Sequence, residues 1–259
     1  MSMYHTEKYP IRQTSPGVFL IYKEPGETLA VLLARFRLEQ DVGADIPVTY
    51  AGRLDPMAGG LMILLTGEKC KVKDEFLGFD KEYECEVLFG FSTDTYDMLG
   101  LVTGRQDMDP DEASIKRAVE IVSKQTDFPY PPYSSKPVDG VPLFTHARNG
   151  TLPEELPTVT GTISNMEFLG VRQERFIDVI EKTKQTIEKV VGDFRQIEIL
   201  EQWDKYSKEF GDQVITIAKI TMSVSSGMYV RSIAVAIGEV CGGGAVALSI
   251  TRTRIGEYK

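Results

Sequence analysis

An α+β fold is predicted, on three observations. Apolar runs of strand length recur between Val18 and Val224, with helical patterns among them. Crossover helices do not follow the strands regularly, which disfavours a doubly wound parallel sheet. The stretch Glu82–Phe89 sets Tyr83, Cys85, Val87 and Phe89 on one face, as a half-buried strand does.

In chain order, the first eight residues read as a loose arm. Val18–Ile21 is a short buried strand, and Thr28 caps a helix through Leu32, Leu33 and Phe36. A loop spans Gly43–Pro47, Tyr50–Gly60 is rich in turn formers, and Leu61–Leu65 is a fully apolar strand. Asp109-Pro110-Asp111-Glu112 reads as a helix start with its cap, a proline at the first position and acids in the first turn. Its apolar face is Ile115, Ala118, Val119 and Val122, and Pro129, Pro131 and Pro132 end it. Residues 130–157 are loop-rich. Strands return at Val159–Leu169 and Val214–Val224, and a last helix runs from near Tyr229 to Val240, stopped by Gly242-Gly243-Gly244. Residues 173–212 read as a charged helical insert with the apolar stripe Ile177, Ile180, Ile187, Val190 and Val191. Ten acids against seven bases favour a solvated face packed on the core over an RNA-binding arm. The whole, residues 1–259, is expected to be a single domain carrying this insert.

Composition narrows the function. Hydrophobic residues are 42% and charged residues 26%, ordinary for a globular protein. No apolar run reaches the roughly 20 residues needed to span a bilayer, and Met1–Pro10 lacks the apolar stretch of a secretory signal. Cys70, Cys85 and Cys241 are odd in number and form no C-x-x-C, so neither a disulfide framework nor a zinc site is expected. A cytoplasmic compartment fits that usage. His5 and His146 sit in no recognisable nucleophile–base motif, which leaves Asp, Glu, Tyr, Lys or Arg to carry any chemistry. The net charge of −9 argues mildly against nucleic acid, yet leaves room for one basic cleft.

Three stretches stand out. Tyr50 to Leu61 holds Asp55 in a glycine-flanked loop just before an apolar strand, where one carboxylate can sit at the floor of a cleft; a plain Asp-Pro turn is the competing account. Gly227-Met228-Tyr229-Val230-Arg231-Ser232-Ile233 opens a helix. A cation is disfavoured at a helix start, so Arg231 calls for a specific acid, and Asp55 is the candidate. Lys81-Glu82-Tyr83 places a tyrosine on the apolar side of its strand.

These stretches, in order and roughly in spacing, resemble the TruB-type tRNA pseudouridine synthases. Gly52 to Gly60 is similar to the family's G-x-L-D-P-x-A-x-G, Lys81 to Tyr83 to its K-x-Y, and Thr93-Asp94-Thr95 with Asp97 to its T-D-T-x-D loop. Pro131-Pro132, Ser134 and Lys136 resemble its P-P-x-x-S-A-x-K segment, and Ala147-Arg148-Asn149-Gly150 its A-R-x-G. Gly227 to Arg231 resembles G-x-Y-x-R, and Gly242 to Gly256 with Arg252 its closing segment. The resemblance implies the pseudouridine synthase fold, a mixed, largely antiparallel sheet with flanking helices and a central catalytic cleft. It implies conversion of uridine to pseudouridine in the tRNA T-loop at position 55, with tRNA as partner, a monomer, no metal and no cofactor. Asp55 is then the nucleophile, Tyr83 stacks on the uracil and handles the C5 proton, and Arg231 pairs with the aspartate. Tyr229 lines the pocket and Ile250 packs under the base. Lys23, Arg53, Lys81, Lys136, Arg148 and Arg252 are the candidates for phosphate contact.

Five departures accompany the resemblance. Tyr50 stands where the family has a histidine, and its expected part is to stack in the gap left by the flipped uridine. Arg53-Leu54-Asp55 is the form of the RluA- and RsuA-type synthases, which keeps an alternative open: the same reaction on another RNA such as ribosomal RNA. The K-P-x-G signature is altered to Lys23-Glu24-Pro25-Gly26. The small C-terminal RNA-binding PUA domain is expected to be absent, and the chain is acidic for an RNA binder. A different class is also open, an RNA-binding or tRNA-folding protein with weak catalysis. A carboxylate hydrolase is disfavoured because no motif places a second acid; Glu68 and Asp94 are the nearest.

Overall fold

A computed structural model describes residues 10–259; the loose arm expected before them lies outside the described residues. In chain order the elements are β1 (Arg12–Ser15), β2 (Val18–Lys23), α1 (Leu29–Glu39), β3 (Val48–Ala51), β4 (Ala58–Thr66), a 3₁₀ helix (Gly67–Phe76), β5 (Lys81–Phe89), β6 (Phe91–Thr93) and β7 (Val102–Arg105). Then follow α2 (Glu112–Val122), β8 (Asp127–Pro129), β9 (Pro137–Val138), β10 (Val141–Pro142), α3 (Leu143–Asn149), β11 (Thr158–Thr160) and β12 (Ile163–Arg175). The chain ends through α4 (Phe176–Ile187), α5 (Gln196–Phe210), β13 (Val214–Val224), α6 (Val230–Val240) and β14 (Ala245–Ile255).

One eight-stranded sheet runs in the order β1-β2-β4-β14-β5-β13-β12, with β3 paired to β4 off that path. Only β4 and β14 pair in parallel within it; the other pairs are antiparallel. That parallel seam fixes the site: the turn bearing Asp55 leads into β4 at Ala58, and Ala58 and Gly60 face Ile250 and Arg252 across the seam. Gly60 makes the seam possible. Its φ is +113°, and a Cβ there would lie 2.3 Å from the Arg252 carbonyl oxygen. Any side chain would force the strands apart.

The local signals explain most boundaries. The Thr28 hydroxyl accepts from Val31 N–H and starts α1. Alternation in KEYECEVLF buries Lys81, Tyr83, Cys85 and Val87 and makes β5. Four expectations need correction. Helix α2 is capped by Asp111, whose carboxylate accepts from Ser114 N–H at 2.7 Å, whereas Asp109 accepts from the Thr216 hydroxyl of β13. The turn-rich stretch opens on the last two residues of strand β3, and β4 begins at Ala58 rather than Leu61, because Gly59 and Gly60 are needed inside the parallel pairing. Helix α3 lies within the stretch read as loop, and the 3₁₀ helix was not anticipated. The insert's stripe is displaced: β12 runs on to Arg175 and sets the phase of α4 from Phe176. Phe176, Val179, Ile180 and Ile187 are buried there, while Ile177 and Val191 are exposed.

Helices α4 and α5 thus form the connection from β12 to its sheet neighbour β13. They close over a second apolar core with Phe91, Leu99 and the fully buried Trp203, whose indole N–H donates to Met98 O at 3.1 Å. Met57, two residues after Asp55, belongs to the same core.

Candidate active site

A cleft of about 840 Å³ opens over the β4–β14 seam. Its floor carries Asp55, Tyr83 and Ile250, and the start of α6 contributes Tyr229 and Arg231. Asp55 sits on the turn Gly52–Met57, and its side chain is about a third exposed, within reach of a ligand.

Arg231 organises the centre. It is 2% exposed, and its Nε donates to Asp55 Oδ2 at 2.8 Å. Nη1 donates to Thr95 O, and Nη2 to Tyr133 O at 3.3 Å. Asp97 Oδ2 lies 3.8 Å from the same Nε. Burial works against the guanidinium charge, but Asp55 and Asp97 outweigh it and hold its pKa above the usual range. One side chain therefore ties the Asp55 turn, the 94–97 loop and the 133 loop to the head of α6. The acid that the helix-start argument demanded is Asp55, and Asp97 is a second one that the argument did not find.

Asp97 is almost fully buried. Its Oδ1 accepts from the Thr95 hydroxyl at 2.8 Å and from Leu99 N–H at 2.9 Å. Burial raises its pKa to about 6, with Asp55 adding to the rise and Arg231 opposing it. The Tyr229 phenol is pushed up by burial and then by the Asp55 carboxylate.

Two buried cations hold the ends of the Asp55 turn. Arg252 donates from Nε to Leu61 O at 2.7 Å, and reaches Arg53 O at 3.3 Å and Gly52 O at 3.5 Å. The Lys23 ammonium donates to Ala58 O at 2.5 Å, Glu24 O at 3.1 Å and Pro56 O at 3.2 Å. Burial lowers the Lys23 pKa to about 8. Both residues were expected to touch phosphate. They are corrected to braces: at 0% and 1% exposure neither presents its charge to solvent. Lys81 is corrected likewise. Its ammonium is tied to Leu77 O, Phe79 O and the Ser226 hydroxyl, and burial lowers its pKa to about 8.

The remaining expected residues divide. Arg53 is exposed and lines the cleft. Arg148 lines it too, with its guanidinium on Asp193 O and 3.6 Å from that carboxylate. Lys136 lies outside the lining, its ammonium 5.2 Å from the Tyr130 ring centre. Tyr50 is corrected as well. On β3 it packs against the main core with the Lys73 ammonium 5.5 Å from its ring centre, and it does not face the cleft. Among the described residues no group of three or more His, Cys, Asp or Glu is placed to hold a metal, and no helix is long and apolar enough to cross a membrane.

Comparison with known proteins bears on this arrangement. Residues 45–188 match the TruB family pseudouridylate synthase (N terminal domain). The chain belongs to that family. A curated relative called tRNA pseudouridine synthase B, from Opitutus terrae, is 33% identical over 70% of this chain and 74% of its own. Another of the same name, from Aromatoleum aromaticum, is 29% identical over 95% of this chain. The chain spans 65% of the length of that relative. Among solved structures, an H/ACA RNP bound to a substrate RNA containing 2′-deoxyuridine matches with TM-score 0.54 and 16% identity, over 94% of this chain and 48% of that one. A Cbf5-Nop10-Gar1 complex matches with TM-score 0.55 and 16% identity, over 94% and 50%. These two establish a shared fold, the mixed and largely antiparallel sheet described above. The TruB match takes in Asp55 and Tyr83 and stops before Arg231. Asp97 entered the sequence reading only through the T-D-T-x-D resemblance and without a role, and the TruB-type cleft has further wall residues given none, Tyr133, Phe144 and Arg195.

Proposed function

We propose that the protein isomerises uridine to pseudouridine in tRNA, at position 55 of the T-loop, with Asp55 of the chain as nucleophile. The observation that carries this is the Arg231-held carboxylate on a cleft floor made of one tyrosine and one branched aliphatic, Tyr83 and Ile250. The reaction breaks the N1–C1′ bond and joins C5 to C1′. C5 gives up a proton and N1 gains one, so no atom is lost and no cofactor is required. It needs a positioned nucleophile and a base confined between flat or apolar surfaces. Arg231 fixes the carboxylate, and the Tyr83 ring and Ile250 offer the confining surfaces. In this account Tyr83 also handles the C5 proton. The uridine must leave its stack to reach such a floor. Names of the relatives support tRNA as the substrate. The chain acts as a cytoplasmic monomer and a single catalytic domain in this account.

The test is tritium release from a tRNA transcript carrying 5-tritiated uridine, for wild type beside Asp55→Asn. Release by the wild type alone, with both proteins binding the transcript equally, is the expected result. Equal release from both, or none from wild type, overturns the assignment. Mapping the product then separates position 55 from other uridines.

A further inference from the structure

The insert was expected to be a bland solvated face, yet its α4–α5 loop forms one wall of the cleft. Val191, Phe194 and Arg195 line it beside Tyr133, Phe144 and Arg148. Val191 and Phe144 are 61% and 38% exposed, so the wall presents open apolar surface to whatever enters the cleft.

This wall is fixed rather than draped. Arg195 forks onto Asp94, at 2.6 Å from Nη1 to Oδ2 and 3.1 Å from Nη2 to Oδ1, and its guanidinium lies 4.3 Å from the Tyr133 ring centre. The Gln196 side chain closes the loop by donating to Val190 O and Gly192 O and accepting from Phe194 N–H. Arg195 adopts φ +60°, a left-handed conformation that disfavours a non-glycine residue. The Asp94 fork and the Tyr133 ring hold it there. On the same side, the hydroxyl of Ser134, 3% exposed and lining the cleft, has no hydrogen-bond partner. A buried polar group left without a partner points to a ligand.

The cleft is also roomy. At about 840 Å³ it sits at the large end of the roughly 300–1,000 Å³ that enclose drug-sized ligands, while Asp55, Tyr83 and Ile250 occupy only its floor. Apolar and aromatic surface joined to arginines is the chemistry of an unpaired base with its phosphate. We propose that the insert loop builds a second nucleotide subsite, which holds a base of the substrate RNA flanking the target uridine. The base lies on Phe194 and Val191, and Arg148, which keeps donors beyond those on Asp193, meets its phosphate. The proposal rests on the uridine-isomerising function above and names which part of this chain selects its RNA.

A T-arm hairpin with 5-tritiated uridine at the target separates the two claims. It is made intact, and with an abasic ribose in place of each flanking nucleotide in turn. Single-turnover release and binding are measured for wild type, Phe194→Ala and Val191→Asp, with thermal melting alongside. Val191 is exposed, so its variant keeps the fold even where Phe194→Ala loosens the second core. In wild type, one abasic substitution weakens binding or rate by roughly 5- to 150-fold, the range of a single stacked base. Each variant loses a similar factor on the intact hairpin and little more on that abasic one. Factors that multiply overturn the subsite, as do variants that match wild type on intact RNA or a wild type indifferent to both abasic sites. If wild type releases no tritium from the intact hairpin, the isomerase assignment fails and the subsite falls with it.

Discussion

Replacing Lys23 by methionine separates bracing from RNA contact. The ammonium is buried and donates to three carbonyls, two of which belong to Pro56 and Ala58 on the far side of Asp55. Burial brings its pKa from 10.5 to about 8; Glu27, Asp55 and Glu24 resist the fall, and Arg252 adds to it. At about 1.4 kcal/mol per pKa unit, carrying the charge at pH 7 costs roughly 3 kcal/mol. Methionine removes that cost. It also orphans the Ala58 carbonyl, a loss of roughly 1–3 kcal/mol, with smaller losses where water reaches Glu24 and Pro56. The terms nearly offset, so stability at pH 7 changes by no more than about 2 kcal/mol. Activity has no such compensation. A loop displaced by about an ångström at the nucleophile loses roughly 10- to 100-fold in rate.

The pH dependence gives an independent check. A lysine depressed in the folded state contributes stability that is present above 10.5 and lost as pH falls through about 8. Wild type should therefore gain roughly 2–3 kcal/mol relative to Lys23→Met between pH 7 and pH 10. Lys81 titrates in both proteins and cancels in the difference. Urea unfolding at the two pH values, beside single-turnover tritium release at pH 7.5, measures both quantities. Parallel stabilities across that range, or wild-type turnover in the variant, would refute the bracing argument. A weakened RNA affinity with unchanged rate would restore Lys23 as a phosphate contact.

Three other perturbations follow from the same geometry. Asp97→Asn removes a carboxyl whose pKa is raised from 3.8 to about 6, chiefly by burial. Its stabilising contribution is present below 3.8 and lost as pH rises through about 6, so urea unfolding should show wild type losing roughly 3 kcal/mol relative to the variant between pH 3 and pH 7.5. The acid limb of the rate profile near pH 6 should flatten in the variant, because the second anchor of Arg231 no longer titrates. Trp203→Ala opens the second core beneath Met57 and leaves Met98 O without its indole donor; a loss of roughly 3–5 kcal/mol in chemical denaturation is expected. Tyr50→Ala should leave tritium release unchanged, since the ring lies under Lys73 and outside the cleft; a collapse of turnover would put Tyr50 back on the substrate.

Helix α1 and strand β5 could be read from sequence because their causes are local: a threonine hydroxyl three residues from the amide it caps, and a strict alternation. Helix α2 was misplaced by two residues for a non-local reason, since the Asp109 carboxylate is engaged by Thr216, 107 residues away. Helix α3 is seven residues long, with only Leu143 buried, and leaves no stripe to find. At the site, Asp55 and Arg231 were legible together because a cation at a helix start implies an acid. Asp97 was matched within the T-D-T-x-D loop but given no role, because nothing local reveals that Arg231 of α6 lies beside it. Lys23, Lys81 and Arg252 misled in one direction. A sequence counts a lysine as charge for solvent, and nothing local reveals that its acceptors are backbone carbonyls folded around it.

The same distinction resolves the charge problem. A net charge of −9 sits badly with RNA, but the cleft lining holds six cationic side chains, Arg53, Lys81, Arg148, Arg195, Arg231 and Arg252, against two acids, Asp55 and Asp97. Acids just outside the lining, Asp94 on Arg195 and Asp193 on Arg148, offset two of these cations, which leaves the cleft mildly cationic where the whole chain is negative. Most of that charge is committed inward. Arg231 and Arg252 fix the Asp55 turn, Lys81 ties the chain ahead of β5, and Arg195 locks the insert loop to Asp94. These cations raise the potential in the cleft without offering themselves as phosphate ligands, whereas the acid surplus lies on the outer surface, including the insert helices. Attraction of RNA is then concentrated where field lines converge in a low-dielectric groove, and few phosphates are neutralised directly. On the proposed function, affinity for RNA leans on base stacking and shape more than on released counterions. That places the weight of recognition on the apolar walls of the cleft, one of which is supplied by the insert.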